Sequence, residues 1–149
     1  MTDIQAAPAP AQVAMTPGRY LRLRREAAGL TLQHVAIILV PAGRKTAAED
    51  RAIFRRDVAN LEADQLGGGN QVGLVDLLSS IFSFDSAIYW LLVGRAADPD
   101  SEVPVPQICR GCGCTWNDAC IDGARGCAWS ADDPTLCTVC ERKESANEA

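Results

Sequence analysis

Thr16-Pro17-Gly18-Arg19-Tyr20-Leu21-Arg22-Leu23-Arg24-Arg25-Glu26-Ala27-Ala28-Gly29-Leu30-Thr31 reads as one helix marked at both ends, followed by the start of a second. Thr16 serves as N-cap and Pro17 takes the first helical position, where a missing N–H loses no bond. Gly29 closes this helix as a C-cap. Thr31 caps a second helix over residues 32–39, which Pro41 and Gly43 terminate. Downstream, Thr46 followed by Glu49 three residues later is a capping-box pattern opening a helix over residues 47–63, with Phe54, Val58 and Leu61 as its apolar stripe. Gly67-Gly68-Gly69-Asn70 breaks the chain, and two shorter helices follow over residues 72–82 and 86–93, the second ended by Gly94.

Five helices without a convincing strand imply an all-α unit over residues 16–95. The Ala/Pro-rich residues 1–15 and residues 143–149 read as disordered tails, and residues 96–107, with Pro99, Pro104 and Pro106, as an extended linker. Beyond it, residues 108–142 hold all seven cysteines of the chain, Cys109, Cys112, Cys114, Cys120, Cys127, Cys137 and Cys140. This segment has few aliphatic residues, so a metal must supply much of its folding energy, on the order of 10 kcal/mol for structural zinc. The expected architecture is mainly α: a five-helix bundle followed by a small metal-stabilised Cys-rich module.

Cys109/Cys112 and Cys137/Cys140 are Cys-x-x-Cys pairs separated by 24 residues. Two such knuckles can close one tetrahedral thiolate site for zinc. Gly111 and Gly113 allow the first knuckle to curl so that amides point at sulfur. Cys114, Cys120 and Cys127 are not used by that site. They are either small buried hydrophobes, a second site in a two-zinc cluster with shared thiolates, or partners in other chemistry, since an iron–sulfur cluster would take four of the seven and disulfides some of them. The odd count argues against a purely disulfide framework. So does the N-terminus, which has neither a basic n-region nor a hydrophobic h-region, so a cytoplasmic location with reduced thiols is expected. Trp116 and Trp129 are the expected core of this aliphatic-poor module, and Asp118, Asp122, Asp132 and Asp133 its solvated turn formers.

Net charge is −5, but it is divided: residues 15–65 carry nine Lys/Arg against six Asp/Glu, and residues 66–149 five against twelve. The first half can face phosphate, whereas the second suits protein or solvent. The apolar runs at residues 35–40 and 88–93 are too short to span a bilayer. Gly67-Gly68-Gly69 lacks the Lys-Ser/Thr of a phosphate cradle, and His34 is the sole histidine, expected at the surface or in packing. An all-thiolate site without histidine is closed and structural. Enzyme chemistry is therefore not expected.

The pattern Gly18-x-x-Leu21-Arg22-x-x-Arg25-Glu26-Ala27-Ala28-Gly29-Leu30-Thr31-x-x-x-Val35-Ala36 resembles the first two helices of the Cro/C1-type, lambda-repressor-like helix-turn-helix family. Val58-Ala59-Asn60-Leu61-Glu62 is similar to the end of that family's recognition helix, and residues 72–93, with Tyr89-Trp90-Leu91-Leu92, to its fourth and fifth helices. The resemblance spans residues 17–94 and implies a transcriptional regulator acting on double-stranded DNA. The distance from Gly29 to Glu62 is about a dozen residues longer than the family's tight motif. This insertion, residues 40–51, either loops out and leaves the bihelical geometry intact or extends helix three and blocks its approach to the major groove. The resemblance further implies base contacts from Arg55, Arg56 and Asn60, with Asp57 and Ala59 nearby, and phosphate contacts from Arg44, Lys45 and Arg51. The alternative is that these are the solvated face of a bundle. It also implies that Arg25 pairs with Glu62. The tail, with Cys-Gly-Cys-Thr, Gly-Cys-x-Trp and a final Leu-Cys-x-x-Cys, resembles Cys-rich modules of uncharacterised bacterial and phage proteins, which bring no activity with them. The module then serves dimerisation or partner contact. A protein-interaction adaptor that has lost DNA binding, or a metal or redox sensor with an iron–sulfur or labile zinc cluster, is the alternative.

Overall fold

A computed structural model describes residues 14–65 and 71–148. The tail expected at residues 1–15 and the break at Gly67-Gly68-Gly69-Asn70 fall largely or wholly outside these residues. Among the described residues the chain is mainly helical, with α1 Pro17–Ala27, α2 Leu32–Leu39, α3 Ala47–Glu62, α4 Gln71–Ser79, α5 Ser86–Ala97 and α6 Thr138–Asn147, and one small hairpin, β1 Ile121–Asp122 and β2 Arg125–Gly126. None of these helices is long and apolar enough to cross a membrane.

The ends of α1 and α2 follow from their local chemistry. The Thr16 hydroxyl accepts the Arg19 N–H at 3.1 Å, and Gly29 leaves α1 at φ +73°, a conformation that glycine adopts without strain. Thr31 and His34 form a reciprocal capping box: the His34 N–H donates to Thr31 Oγ1 at 3.1 Å and the Thr31 N–H to His34 Nδ1 at 3.3 Å. The lone histidine is thus an exposed capping group.

The expected capping box at Thr46 does not form. Residues 44–47 continue a turn, closed by the Ala47 N–H on Arg44 O at 3.1 Å, which holds Thr46 at ψ 10° instead of the extended conformation an N-cap needs. Its hydroxyl donates to Asp50 Oδ2 at 2.8 Å. The insertion is resolved in the same place. Residues 40–46 connect α2 to α3 and the remainder lengthens α3 at its N-terminus, so helix three is extended. Arg51 fastens the connection, its Nε donating to Val40 O at 2.8 Å.

Tyr20, Leu21, Val35, Val58, Leu61, Val75, Leu78, Phe82, Ile88, Tyr89 and Leu92 form one buried core drawn from α1 to α5. Phe54, expected on the same apolar stripe as Val58 and Leu61, is only half-buried and does not belong to this core. The Tyr20 hydroxyl accepts the Asp85 N–H at 2.9 Å, joining α1 to the residue that caps α5. α4 ends at Ser79, earlier than the periodicity predicts, because residues 80–82 close a turn that still buries Phe82. α5 instead runs through Gly94 to Ala97: glycine in a helix is unfavourable but not a stop. Arg95 then gathers the following segment, donating to Ser101 O and, at 3.1 Å, to Val103 O. The extended stretch therefore begins after α5 and is partly clasped to it.

The cysteine module packs directly on the bundle through Arg24 of α1, which is only 6% exposed. Its guanidinium donates to Ser83 O at 3.1 Å and Cys112 O at 3.5 Å and pairs with Asp118 Oδ2 at 2.9 Å. Ser83 Oγ reaches Asp118 Oδ1 at 3.0 Å. Asp118 is thus the partner of a buried cation, not a solvated turn former. Ionic pairing is what permits both charges to leave water. The C-terminal tail also differs from expectation, since residues 143–147 continue α6.

Candidate metal centre

The first knuckle is shaped by two glycines. The Cys109 N–H donates to Cys114 O and the Gly113 N–H to Cys109 O, both at 2.9 Å, with Gly113 at φ +72°. A Cβ on Gly111 would lie 2.8 Å from Cys140 Sγ, so only glycine lets the two knuckles close on each other. The second knuckle is a helix start: Cys137 is the N-cap residue of α6, and Cys140 lies in its first turn. The Cys137 N–H donates to Cys109 Sγ at 3.3 Å, an amide-to-sulfur bond of the kind that steadies a ligating thiolate. Arg110 clamps the outside, its guanidinium bridging Glu144 at 2.9 and 2.8 Å and Asp133 at 3.1 Å.

The hairpin delivers the inner cysteines. Cys120 precedes β1 and Cys127 follows β2, joined by the Cys127 N–H on Cys120 O at 2.8 Å. All seven cysteines are free. Their sulfurs are adjacent: Cys112 to Cys120 and Cys112 to Cys137 are both 3.8 Å, Cys114 to Cys127 3.7 Å and Cys120 to Cys137 3.5 Å. Two quartets have all their sulfurs within 4.8 Å of one another, Cys109, Cys112, Cys137, Cys140 and Cys112, Cys114, Cys120, Cys137.

Metal–sulfur bonds of about 2.3 Å in a tetrahedron put neighbouring sulfurs roughly 3.8 Å apart. The observed spacings match, and the cluster can hold a metal ion. Its protonation points the same way. Cys109 is pushed down by hydrogen bonds from Cys112, Cys114 and Cys140, whereas Cys114 and Cys140 are pushed far up, first by Cys109 and then by Cys112. Burial drives Cys120 up as well. Cys112 is pushed down, to about 6, so the crowded thiols compete for ionisation, a conflict that a divalent cation among the sulfurs removes.

The expected ligands Cys109, Cys112, Cys137 and Cys140 do come together. Cys114 and Cys120 join the second quartet, and Cys127 lies beside Cys114. Trp129 packs half-buried against this cluster, but Trp116 is 82% exposed and is not core. It sits in the turn closed by the mutual Thr115 and Asp118 backbone bonds at 3.3 Å, with the exposed Asn117 beside it.

The DNA-contact candidates are arranged differently. Arg44, Lys45 and Asn60 are exposed, Arg55 donates to Gln33 Oε1 on α2 at 3.1 Å, and Arg56 bonds its own neighbour Asp57 at 3.0 and 2.8 Å. Arg51 is engaged with Val40. Arg51 and Arg55 lie one turn apart on the stripe of α3 nearest α2, and Arg56 and Asn60 one turn apart on another. Arg25 and Glu62 form a bidentate pair at 2.6 and 2.8 Å, as the sequence resemblance implies. Arg24 and Asp118 escaped the sequence reading. The signal for Arg24 is its place on the stripe of Pro17, Tyr20 and Leu21, where a charge must be buried with a partner.

Compared with protein-family models, curated proteins and solved structures, the chain gives no match.

Proposed function

We propose that this chain is a DNA-binding regulator whose helical bundle engages double-stranded DNA through α3 and whose cysteine module is closed by structural zinc for dimerisation or partner contact. The observation that carries the DNA reading is the anchoring of α3. The Arg25–Glu62 pair fixes its C-terminal end to α1 while Arg55, Arg56 and Asn60 stay exposed along it, with Arg44 and Lys45 on the connection before it. Arginine suits guanine and phosphate, asparagine adenine. Zinc is favoured over an iron–sulfur cluster because four thiolates within 4.8 Å fit around one ion. Thiolates bound to the separate irons of a four-iron cluster are spread wider. Four protein ligands leave no open position for catalysis.

The adaptor reading draws on the extension of α3, the form of the insertion expected to block its approach to the major groove, and on the charge along it. α3 itself carries Glu49, Asp50, Asp57 and Glu62 against Arg51, Arg55 and Arg56, and the Arg56–Asp57 pair neutralises part of that charge. Trp116 and Ile121 are meanwhile exposed on the module. Binding of the zinc-loaded full chain to random-sequence duplex at graded salt decides between the two. The regulator binds at low salt with a steep salt dependence, and removal of the phosphate-facing pair in R44A/K45A weakens it on every sequence. Absence of binding at low salt leaves the adaptor.

A further inference from the structure

The two sulfur quartets are not alternatives drawn from seven thiols at random. They overlap in two members, Cys112 and Cys137, whose sulfurs are 3.8 Å apart, and each quartet adds two members of its own. We propose that the module holds two metal ions side by side, with the thiolates of Cys112 and Cys137 shared between them. Cys109 and Cys140 complete one tetrahedron and Cys114 and Cys120 the other, while Cys127 remains a thiol beside Cys114. This rests on the reading of the cluster as a closed zinc centre and adds its nuclearity and its bridging ligands.

Charge selects the shared arrangement. One divalent ion on four thiolates leaves two negative charges. A second ion brought in with the thiolates of Cys114 and Cys120 adds two positive and two negative charges, so the buried total stays the same. In balance, two divalent ions displace six thiol protons to give a six-thiolate cluster of net charge minus two. Two separate four-thiolate sites would need eight thiolates, one more than the chain has, and enlisting Cys127 as a seventh thiolate would carry minus three. The nearby buried cation, Arg24, is already neutralised by Asp118 and has no charge to spare for the seventh. Sharing is thus the way to fill both quartets without burying further charge.

The hairpin also acquires a reason. A single ion in the outer knuckles needs neither β1 nor β2, yet the hairpin sets Cys120 at 3.8 Å from Cys112 and 3.5 Å from Cys137, in reach of both shared sulfurs. Cys127, bonded through its N–H to Cys120 O, holds the base of the hairpin, and its sulfur meets Cys114 but belongs to neither quartet.

Native mass spectrometry of the full-length zinc-loaded chain is expected to show two zinc ions per chain, falling to one in C114S/C120S and staying at two in C127S. Titration of the unaltered apo chain with Co(II) under anaerobic conditions tests the bridge without any variant. Thiolate-bridged Co(II) ions couple magnetically, so the paramagnetic resonance signal should rise to one equivalent and fall towards the second. One zinc per chain, retained in C114S/C120S, overturns the shared cluster and leaves a single structural zinc standing. No bound zinc overturns both readings. Two Co(II) ions with additive signals, or loss of one zinc in C127S, overturns the bridging assignment.

Discussion

Arg24 and Arg25 are neighbours in sequence and both are buried, yet each solves the problem of a buried charge separately. Arg25 spends its guanidinium on Glu62, at 2.6 and 2.8 Å, and on Leu30 O at 2.6 Å. Both side chains of the pair are over nine-tenths buried. R25A therefore strands a carboxylate in the interior and should lower stability by about 3 kcal/mol in urea unfolding followed by circular dichroism. R25A/E62Q should lose less than the sum of its two single variants, because the stranded charge is gone. The tyrosines offer a second measurement. Burial pushes Tyr20 up from 10.0 to about 12 and raises Tyr89 too, and these are the chain's two tyrosines. Above pH 10.0 an unfolded chain ionises them while the folded chain retains their protons. The unfolded state then binds fewer protons, and stability falls with rising pH between 10.0 and about 12. Tyrosinate absorbance should accordingly appear near pH 10 in denaturant and be delayed in the native protein. Coincident titrations would contradict the burial of Tyr20.

At the scale of the elements, Gly18 sits in the first turn of α1 where alanine would ordinarily favour the helix by up to about 1 kcal/mol. Here a Cβ would come within 2.6 Å of the carbonyl oxygens of Leu61 and Glu62, and the Gly18 N–H donates to Asp64 Oδ1 at 2.7 Å. G18A should thus destabilise by about 1–3 kcal/mol, since backbone cannot yield as a side chain does. An unchanged or raised melting temperature would contradict the close α1–α3 crossing. The start and end of α1 and α2 are legible in sequence because Thr16, Pro17, Gly29 and Thr31 act on their own backbone within a few residues. Thr46 misleads for the opposite reason: its pattern is local, but the turn built by residues 44–47 decides its conformation. The extended α3 is legible as a longer spacing between Gly29 and Glu62, not as a shape. Its form depends on Arg51 reaching back to Val40 across the connection.

For the whole molecule, the outer ligands Cys109, Cys112, Cys137 and Cys140 can be read from spacing alone, whereas the double membership of Cys112 and Cys137 cannot, because it depends on where the hairpin brings Cys120. Nor does the sequence announce that bundle and module are one packed body, since Arg24, Ser83, Cys112 and Asp118 meet from four separate stretches. That junction makes metal content a property of the bundle as well. Removing the metal deletes the folding energy of a segment poor in aliphatic residues, and the unfolded module takes Asp118 and the Cys112 carbonyl away from Arg24. The guanidinium then stays against the bundle with only Ser83 O as a partner. Chelation is therefore expected to abolish hydrogen-exchange protection across residues 108–140 and, in addition, to lower the unfolding midpoint of the helical bundle. In R24M the methionine occupies the position without a charge to strand. Chelation should still unprotect the module but shift the bundle's midpoint much less. Equal shifts in R24M and the unaltered chain would mean that the two parts are coupled by packing alone, for example Gly113 against Leu23, and not through the buried cation.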